Sequence, residues 1–299
     1  MTGPLGPLVV IAGPSMLERM PAIERRLDDL GLEHRTIETT EPGDGARWSR
    51  ACLLAGERFL VAAGGDSLVH DVVNGMFDGG APVAERPILG VLPSGADDEF
   101  FRQFGLPMDA ERACAHLAGE GLYAIDVARV ECDGSNRGRN ARMWINIADV
   151  GLGADVAARA ARRTGRARQF LAFWSALARA KRSHVQVEAA RQRYDGEAYH
   201  VVVGNGRHGA GGFRVSPRSF PGDGVLEVLV HHGPKAQAFT SLPKSIRGEQ
   251  VPSLHIAELR GNRVRIDADP PMTVAVDGHV VGTTPASFEV LPQAIHLKI

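Results

Sequence analysis

The chain has 299 residues, of which 44% are hydrophobic and 23% are charged, a composition typical of a globular protein of one or two domains. Its 34 basic and 35 acidic residues leave a net charge of -1, which does not indicate a nucleic-acid-binding protein. The three cysteines, Cys52, Cys114 and Cys132, predict neither a disulfide framework nor a zinc site, and they fit a reducing compartment. Because the sequence shows no signal-peptide pattern and no apolar run long enough to span a membrane, we expect a cytoplasmic protein.

Apolar runs alternate with helix-like stretches over roughly the first 120 residues. The pattern predicts strands at residues 8–12, 32–40, 59–63 and 88–92, and helices at residues 16–30, 45–55 and from residue 67 onward. Alternation of this kind predicts a parallel sheet with helices on both faces. Ligands of such sheets lie at the carboxyl ends of the strands.

The pattern changes after residue 122. Short strand-like segments follow, separated by turns rich in Gly, Pro and Asp, at residues 124–130, 143–147, 185–189, 199–203, 225–230, 263–266, 272–276 and 286–290. This spacing predicts a mainly antiparallel sandwich. We therefore expect an α/β domain at residues 1–122 and a β-sandwich domain at residues 123–299.

A glycine turn, Gly64-Gly65-Asp66, joins the predicted strand at residues 59–63 to the helix that follows. This arrangement directs the first N–H groups of the helix at whatever lies above the strand, and such groups bind anions. Asp66 lies at the tip of the turn, where it could handle a metal ion or a proton. The alternative is an ordinary turn with Asp66 and Ser67 as helix caps.

A basic segment without acidic residues separates Asp155 from Glu188. Its basic residues are Arg159, Arg162, Arg163, Arg166, Arg168, Arg179, Lys181 and Arg182, and its apolar residues at helical spacing are Phe170, Phe173, Trp174 and Leu177. Such a segment could make transient contact with an anionic membrane surface. We favour the alternative, a helix packed on the sandwich with a solvated basic rim.

Four motifs occur in a fixed order along the chain. They are Gly64-Gly65-Asp66 with Asn74-Gly75; the run 90–95 with Phe100 and Gly105-Leu106-Pro107; the run 203–207 with Gly211-Gly212, Pro217 and Gly222-Asp223-Gly224; and Val276-Asp277-Gly278 with the run 288–292. Over nearly the whole chain, they resemble the bacterial lipid kinases of the diacylglycerol-kinase/sphingosine-kinase catalytic family. The resemblance implies a Rossmann-like nucleotide-binding domain, a β-sandwich domain, and phosphorylation of a lipid hydroxyl by ATP with Mg²⁺.

The resemblance also implies site residues. The phosphate loop would be Gly64, Gly65, Asp66, Ser67 and Leu68, with further nucleotide contacts from Thr39, Gly95 and Ala96. Asp223 matches a position that holds a structural Mg²⁺, with the carbonyl oxygens of Phe220 and Val225 as further ligands. The alternative for Asp223 is a turn residue before Gly224.

The chain departs from the family pattern at several positions. Ser67 and Leu68 replace the Gly-Thr that usually ends the first loop, and Ser67 resists positive φ. Ala96 replaces a hydroxyl residue, and three acidic residues follow at 97–99, where they would repel phosphate unless a metal ion bridges them. His279 replaces the glutamate that is the family's proposed general base, and a histidine can also accept a proton.

These residues are compatible with two main functions. The chain could be an active lipid kinase, with Asp66 and backbone N–H groups holding ATP and Mg²⁺ and with Asp277 or His279 as the base. If Asp277 and His279 lie on extended chain, both side chains would point the same way. Alternatively, a catalytically impaired descendant would bind lipid or nucleotide without turnover. A kinase for NAD or a non-lipid alcohol is a weaker third hypothesis.

Overall fold

The computed structural model describes residues 5–95, 103–134, 138–160, 174–209, 213–234 and 253–299. The chain forms two compact units, Met1–Asp126 with Pro292–Ile299 and Val127–Leu291. This division differs from the expected one, because the last residues of the chain return to the first unit by pairing with one of its strands. Within the described ranges, every helix is too short or too polar to cross a membrane.

The first unit alternates strands and helices as predicted. In chain order it contains β1 (Leu8–Ala12), a 3₁₀ turn (Pro14–Met16), α1 (Met20–Asp29), β2 (His34–Glu38), α2 (Asp44–Leu54), β3 (Phe59–Gly64), α3 (Asp66–Gly75), β4 (Phe77–Asp78), β5 (Ala81–Pro82), β6 (Ile88–Pro93) and α4 (Ala110–Ala118). Two strands cross the boundary between the units, β7 (Leu122–Asp133) and β19 (His279–Lys298).

A parallel sheet forms the centre of the first unit, in the order β19, β6, β3, β1, β2. Every residue of β1, β3 and β6 is buried, as expected of parallel strands covered on both faces. Helices α1 and α4 cover the face that includes Leu8, Val10, Phe59 and Val61. Helices α2 and α3 pack against each other and against β1 and β3.

The contact between α2 and α3 requires a glycine at position 75. A Cβ atom there would lie 2.2 Å from the backbone oxygen of Ala46, so no larger residue fits without separating the helices. In the same contact, the Ser49 hydroxyl donates to the Val72 oxygen at 2.8 Å. The Asn74-Gly75 motif therefore has a packing role at the glycine.

The second unit is predominantly antiparallel, as predicted. After β7 it contains β8 (Arg139–Trp144), β9 (Ile147–Gly151), α5 (Leu152–Ala160), β10 (Ser183–Ala189), β11 (Gln192–Ala198), β12 (His200–Gly204), β13 (His208–Gly209), β14 (Phe213–Arg214), β15 (Leu226–His231), β16 (Ile256–Gly261), β17 (Arg263–Asp269), β18 (Thr273–Val276) and then β19. Trp144 and Phe288 meet edge to face inside its core, with ring centroids 6.4 Å apart.

One predicted strand of the second unit is wrong. Residues 143–147 do not form one strand, because the chain bends at Ile145 and Asn146 between β8 and β9. The backbone N–H groups at this bend are bound by a carboxylate from a distant part of the sequence, as described below. The bend is therefore stabilised by a tertiary contact.

Only part of the predicted basic helix lies in the described ranges. Residues 174–179 are helical, and Ala176 and Leu177 pack with Leu152 and Tyr199 in a buried cluster. That contact agrees with a helix packed on the sandwich. Residues 161–173, which carry Phe170, Phe173 and the four arginines at 162, 163, 166 and 168, lie outside the described residues, so contact with a membrane stays a prediction.

Candidate active site

The carboxyl ends of the parallel strands bring the predicted nucleotide residues of the first unit to one edge. The register pairs Ala12 with both Glu38 and Ala63, and it pairs Gly64 with Pro93. Because the strand order is β6, β3, β1, β2, the residues that directly follow β1 and β6 are neighbours of the glycine turn, and Thr39 lies one strand further away, beyond β1. Thr39, Gly64 and Gly95 belong to this edge, as the sequence predicted, whereas Ala96 and the acidic residues at 97–99 lie outside the described residues.

The glycine turn leads directly into α3. Gly65 is the residue before the helix, with φ -81° and ψ 179°, and its oxygen accepts the N–H groups of Leu68 and Val69 at 2.9 and 3.3 Å. The N–H groups that precede these intrahelical bonds are the ones that an α-helix offers to an anion. Ser67 lies inside α3 and is not a residue of positive φ, so the strain expected there does not arise.

Leu68 fills the space beside the turn. Cβ atoms placed at Gly64, Gly45 and Gly13 would lie 2.7, 3.0 and 3.4 Å from its methyl carbons. The glycines of three different segments thus make room for one leucine side chain. This leucine side chain forms an apolar wall at a position where the resemblance implies a hydroxyl group.

Thr39 is buried and its hydroxyl donates to the Ala12 oxygen at 3.1 Å, while its backbone N–H donates to the same oxygen at 2.9 Å. The loop that follows is folded around the Asp44 carboxylate. One oxygen of this carboxylate accepts the N–H groups of Thr40 and Glu41 at 2.9 and 3.1 Å. These backbone bonds hold the pKa of Asp44 below its ordinary value. Sequence analysis did not single out Asp44, although an acidic residue in a first helical turn is a recognisable signal.

Asp277 binds the bend between β8 and β9. Its carboxylate oxygens accept the backbone N–H groups of Ile145, Asn146 and Ile147 at 2.9, 3.0 and 3.2 Å. All three of these residues are buried, so the carboxylate satisfies donors that water does not reach. Three of the roughly four acceptor positions of a carboxylate are thereby occupied. Asp277 is a structural anchor in this arrangement.

A second motif reaches the same bend. The Asn205 side chain donates to the Ile145 oxygen at 2.6 Å, and the N–H groups of Asn205 and Gly206 donate to the Asn146 oxygen at 3.0 and 2.7 Å. Two of the four sequence motifs, around residues 203–207 and 276–278, therefore converge on residues 145–147. Sequence analysis could not find this convergence, because the bend carries no motif of its own.

The extended chain assumed for Asp277 and His279 is not found. Asp277 and Gly278 have φ values of +45° and +80° and lie between the paired residues Val276 and His279, which makes them a two-residue type I′ hairpin turn. The chain is not extended at this point, so the premise from which a common direction of Asp277 and His279 was expected is wrong. His279 begins β19 and is half-buried.

The residues expected to hold a structural Mg²⁺ are already engaged. The Asp223 carboxylate accepts the Val225 N–H at 3.1 Å and lies 3.2 Å from the Arg260 guanidinium. The Phe220 oxygen accepts the N–H groups of Gly222 and Asp223 at 2.8 and 3.3 Å. This donor set does not fit a divalent ion as it stands, because the guanidinium already neutralises the one carboxylate. Among the residues that the structure describes, no cluster of three His, Cys, Asp or Glu side chains suits a metal ion.

Two protein-family models match the chain in succession. Residues 12–130 match the diacylglycerol kinase catalytic domain, and residues 146–299 match the YegS C-terminal NAD kinase beta sandwich-like domain. The second match alone covers more than half of the chain.

Similar proteins carry related names. A diacylglycerol kinase of Bacillus subtilis (strain 168) is 27% identical over 287 residues, which are 94% of this chain and 90% of that protein. A "Probable lipid kinase YegS-like" protein of Pseudomonas putida is 25% identical over 303 residues, covering 100% of this chain and 96% of its own. A crystal structure of a diacylglycerol kinase from Bacillus anthracis str. Sterne has a TM-score of 0.74 at 20% identity, covering 98% of this chain and 96% of that one. The expected fold class is thereby confirmed.

Replacing Gly65 with valine tests the glycine turn. Valine adopts the φ and ψ of Gly65 without strain, so the variant should fold, whereas a Cβ at Gly64 would collide with Leu68. The valine side chain would block the close approach of a phosphate, and we expect calorimetry to detect no ATP binding. A folded Gly65→Val protein with the ATP affinity of the parent would show that the turn does not bind nucleotide.

Replacing Asp277 with glycine tests the anchor. Glycine keeps the positive φ of the turn and removes the acceptor of three buried N–H groups. We expect the free energy of unfolding in urea to fall by about 1.5–3 kcal/mol, the range for hydrogen bonds to a charged group. Asp277→Asn, which also tolerates positive φ and keeps one oxygen, should lose less. Unchanged stability in Asp277→Gly would contradict the anchoring role.

Proposed function

Because the chain belongs to the bacterial lipid-kinase family that joins a diacylglycerol kinase catalytic domain to a YegS-type sandwich domain, we propose that it transfers the γ-phosphoryl group of ATP to the hydroxyl group of a lipid. The observation that carries the proposal is the position of the glycine turn. Gly64 ends a buried parallel strand and Gly65 precedes α3, at the edge where sheets of this class bind ligands. We also propose that the acceptor is a lipid and that the protein makes transient contact with a membrane surface.

The glycine turn supplies the phosphate contacts in this proposal. The first N–H groups of α3 would hold phosphate oxygens, and the half-buried Asp66 would face the metal that accompanies them. When bound, ATP with Mg²⁺ supplies the phosphoryl group and neutralises part of its charge. Gly95, after the neighbouring strand β6, and Thr39, after β2 on the far side of β1, would contact the rest of the nucleotide. Phosphoryl transfer needs positioning and charge stabilisation more than covalent chemistry, and backbone N–H groups on a rigid helix supply both.

His279 is the better candidate for the general base. Asp277 already accepts three backbone N–H groups, so its oxygens are committed to the bend at residues 145–147. A histidine that is neutral near physiological pH can take a proton from an attacking hydroxyl. In this proposal Asp277 is a positioning residue, because it holds the hairpin from which His279 starts.

A second candidate function is binding of nucleotide or lipid without turnover. The observation that favours it is the packing of Leu68, whose methyl groups occupy the space between Gly13, Gly45 and Gly64. A phosphate loop with an apolar wall loses a hydrogen bond that a hydroxyl would give. The two candidates differ in one measurable property, the transfer of phosphate to a lipid.

We expect the purified parent protein with Mg²⁺ and ATP to phosphorylate a lipid in a mixed extract. His279→Ala should lower turnover by about 10²-fold with little change in ATP affinity, the effect of losing a general base. Activity that depends on a neutral histidine should also fall as the pH is lowered, because the protonated ring cannot accept a proton. His184→Ala is the matched control and should keep full turnover, because His184 is an exposed histidine of β10 that pairs with Asp195 of β11.

Three outcomes of that assay are informative. Full activity in a folded His279→Ala protein would exclude His279 as the base. If the parent transfers no phosphate to lipid and His279→Glu does, the result would favour binding without turnover. It would also show that the parent lost its activity through the residue at position 279. No transfer by either protein, with any lipid in the extract, would contradict the lipid-kinase proposal.

Replacing Leu68 with threonine tests the apolar wall. If the turn binds phosphate, the new hydroxyl should lower the dissociation constant of ATP about three- to tenfold, since one hydrogen bond contributes about 1 kcal/mol. Leu54→Thr is the matched control, because Leu54 is 68% exposed on α2 and its replacement should leave ATP affinity unchanged. Unchanged or weaker ATP binding in a folded Leu68→Thr protein would show that this side chain does not limit phosphate binding.

A further inference from the structure

The Asp223 turn leads into β15 and is held by contacts from its own backbone. The Asp223 N–H donates to the Phe220 oxygen at 3.3 Å, and one Asp223 carboxylate oxygen accepts the Val225 N–H at 3.1 Å. Gly224 has a φ of +69°, which closes the turn before Leu226. The second carboxylate oxygen accepts from a side chain of β16.

Arg260 on β16 meets that second oxygen. Its guanidinium Nη2 lies 3.2 Å from Asp223 Oδ2, and the two side chains are 51% and 33% exposed. Its backbone N–H donates to the Gln192 side chain at 2.7 Å, so β11 also fixes this point of the strand. The Arg260 backbone is therefore held by the pairing of β16 with β15 and by the Gln192 side chain of β11.

Arg260 does not form its ion pair with the acidic residue that lies opposite it on the paired strand. Arg260 stands opposite Glu227 on β15, but Glu227 is buried and accepts hydrogen bonds from the Ser216 and Ser219 hydroxyls at 2.7 and 3.4 Å. With Glu227 satisfied by hydroxyl groups, the guanidinium pairs with Asp223. The arrangement gives each carboxylate its own set of donors.

A divalent ion at Asp223 would compete with this pair. Mg²⁺ needs near-ideal octahedral oxygen coordination, and it would approach the same oxygen that the guanidinium contacts. Two cations on one exposed carboxylate repel each other, and one carboxylate does not neutralise both. The Phe220 oxygen is likewise engaged by two N–H groups, from Gly222 and Asp223. The geometry and the charge both disfavour a metal ion while Arg260 is present.

We propose that the Arg260 guanidinium takes the place of a divalent cation at the Asp223 turn, so that this chain holds the turn without metal. The guanidinium supplies the positive charge and cross-links β16 to the segment before β15. This role is independent of nucleotide binding and of any phosphoryl transfer.

The parent protein gives the first test, without nucleotide. We expect elemental analysis of the dialysed parent to find no stoichiometric magnesium or calcium, and we expect its melting temperature to be the same in EDTA and in millimolar Mg²⁺. A tightly held divalent ion whose removal by EDTA lowers the melting temperature would overturn the proposal. This test needs no variant, so it stands even if the variants fold poorly.

Arg260→Met gives the second test, because methionine keeps an unbranched apolar stem and removes the charge. We expect this variant to bind Mg²⁺ about tenfold or more tightly than the parent in calorimetry, since a repelling charge beside the carboxylate is gone. We also expect Mg²⁺ to raise its melting temperature. The double variant Asp223→Asn with Arg260→Met should lose both effects.

Arg218→Met is the matched control for Arg260→Met. Arg218 is an exposed arginine that pairs with Glu258 on the same strand, β16, and its removal should create no Mg²⁺ dependence. Mg²⁺ binding that appears in both variants would be a general charge effect and would contradict the proposal. A folded Arg260→Met protein that binds no Mg²⁺ would also overturn it. The turn would then bind no divalent ion even without Arg260, so the guanidinium would not be taking the place of one.

Discussion

A parallel sheet ends its strands at a common edge, and the candidate active site depends on this constraint. Because Gly64 pairs with Pro93 and Ala12 pairs with Ala63, the segments that leave β1, β3 and β6 start beside one another. The start of α3 is directed to this edge by a two-glycine turn. Residues that are far apart in the sequence, such as Thr39 and Gly95, are brought to this edge, Gly95 after the strand next to β3 and Thr39 after a strand two positions away from β3. The helix terminus then needs no long side chain to attract an anion.

In the second unit, the equivalent organising contact is the Asp277 carboxylate. It accepts three buried N–H groups at the bend between β8 and β9, and Asn205 binds the carbonyl side of the same bend. The Asp-Gly hairpin turn is therefore more than a connection between two strands. This contact also divides the roles of Asp277 and His279, since a carboxylate committed to backbone donors is poorly available as a base.

Much of the first unit could be predicted from the sequence, because buried parallel strands are continuous apolar runs, as at residues 8–12 and 59–63. The bend at Ile145 could not, because its stabilising carboxylate lies 132 residues further along the chain. The packing of Leu68 was also hidden. Helical periodicity predicted α3, but the contacts of Leu68 with Gly13 and Gly45 come from other elements. The pairing of Asp223 with Arg260 was missed for the same reason, since two strands bring these residues together.

The central claim is that the glycine turn holds the phosphates of ATP, and a crystal structure of the protein soaked with ATP and Mg²⁺ tests it most directly. The account predicts phosphate oxygens within hydrogen-bonding distance of the backbone N–H groups of Gly65 and Ser67, at the start of α3. Nucleotide bound at another place in the first unit, with the turn left without phosphate, would contradict it.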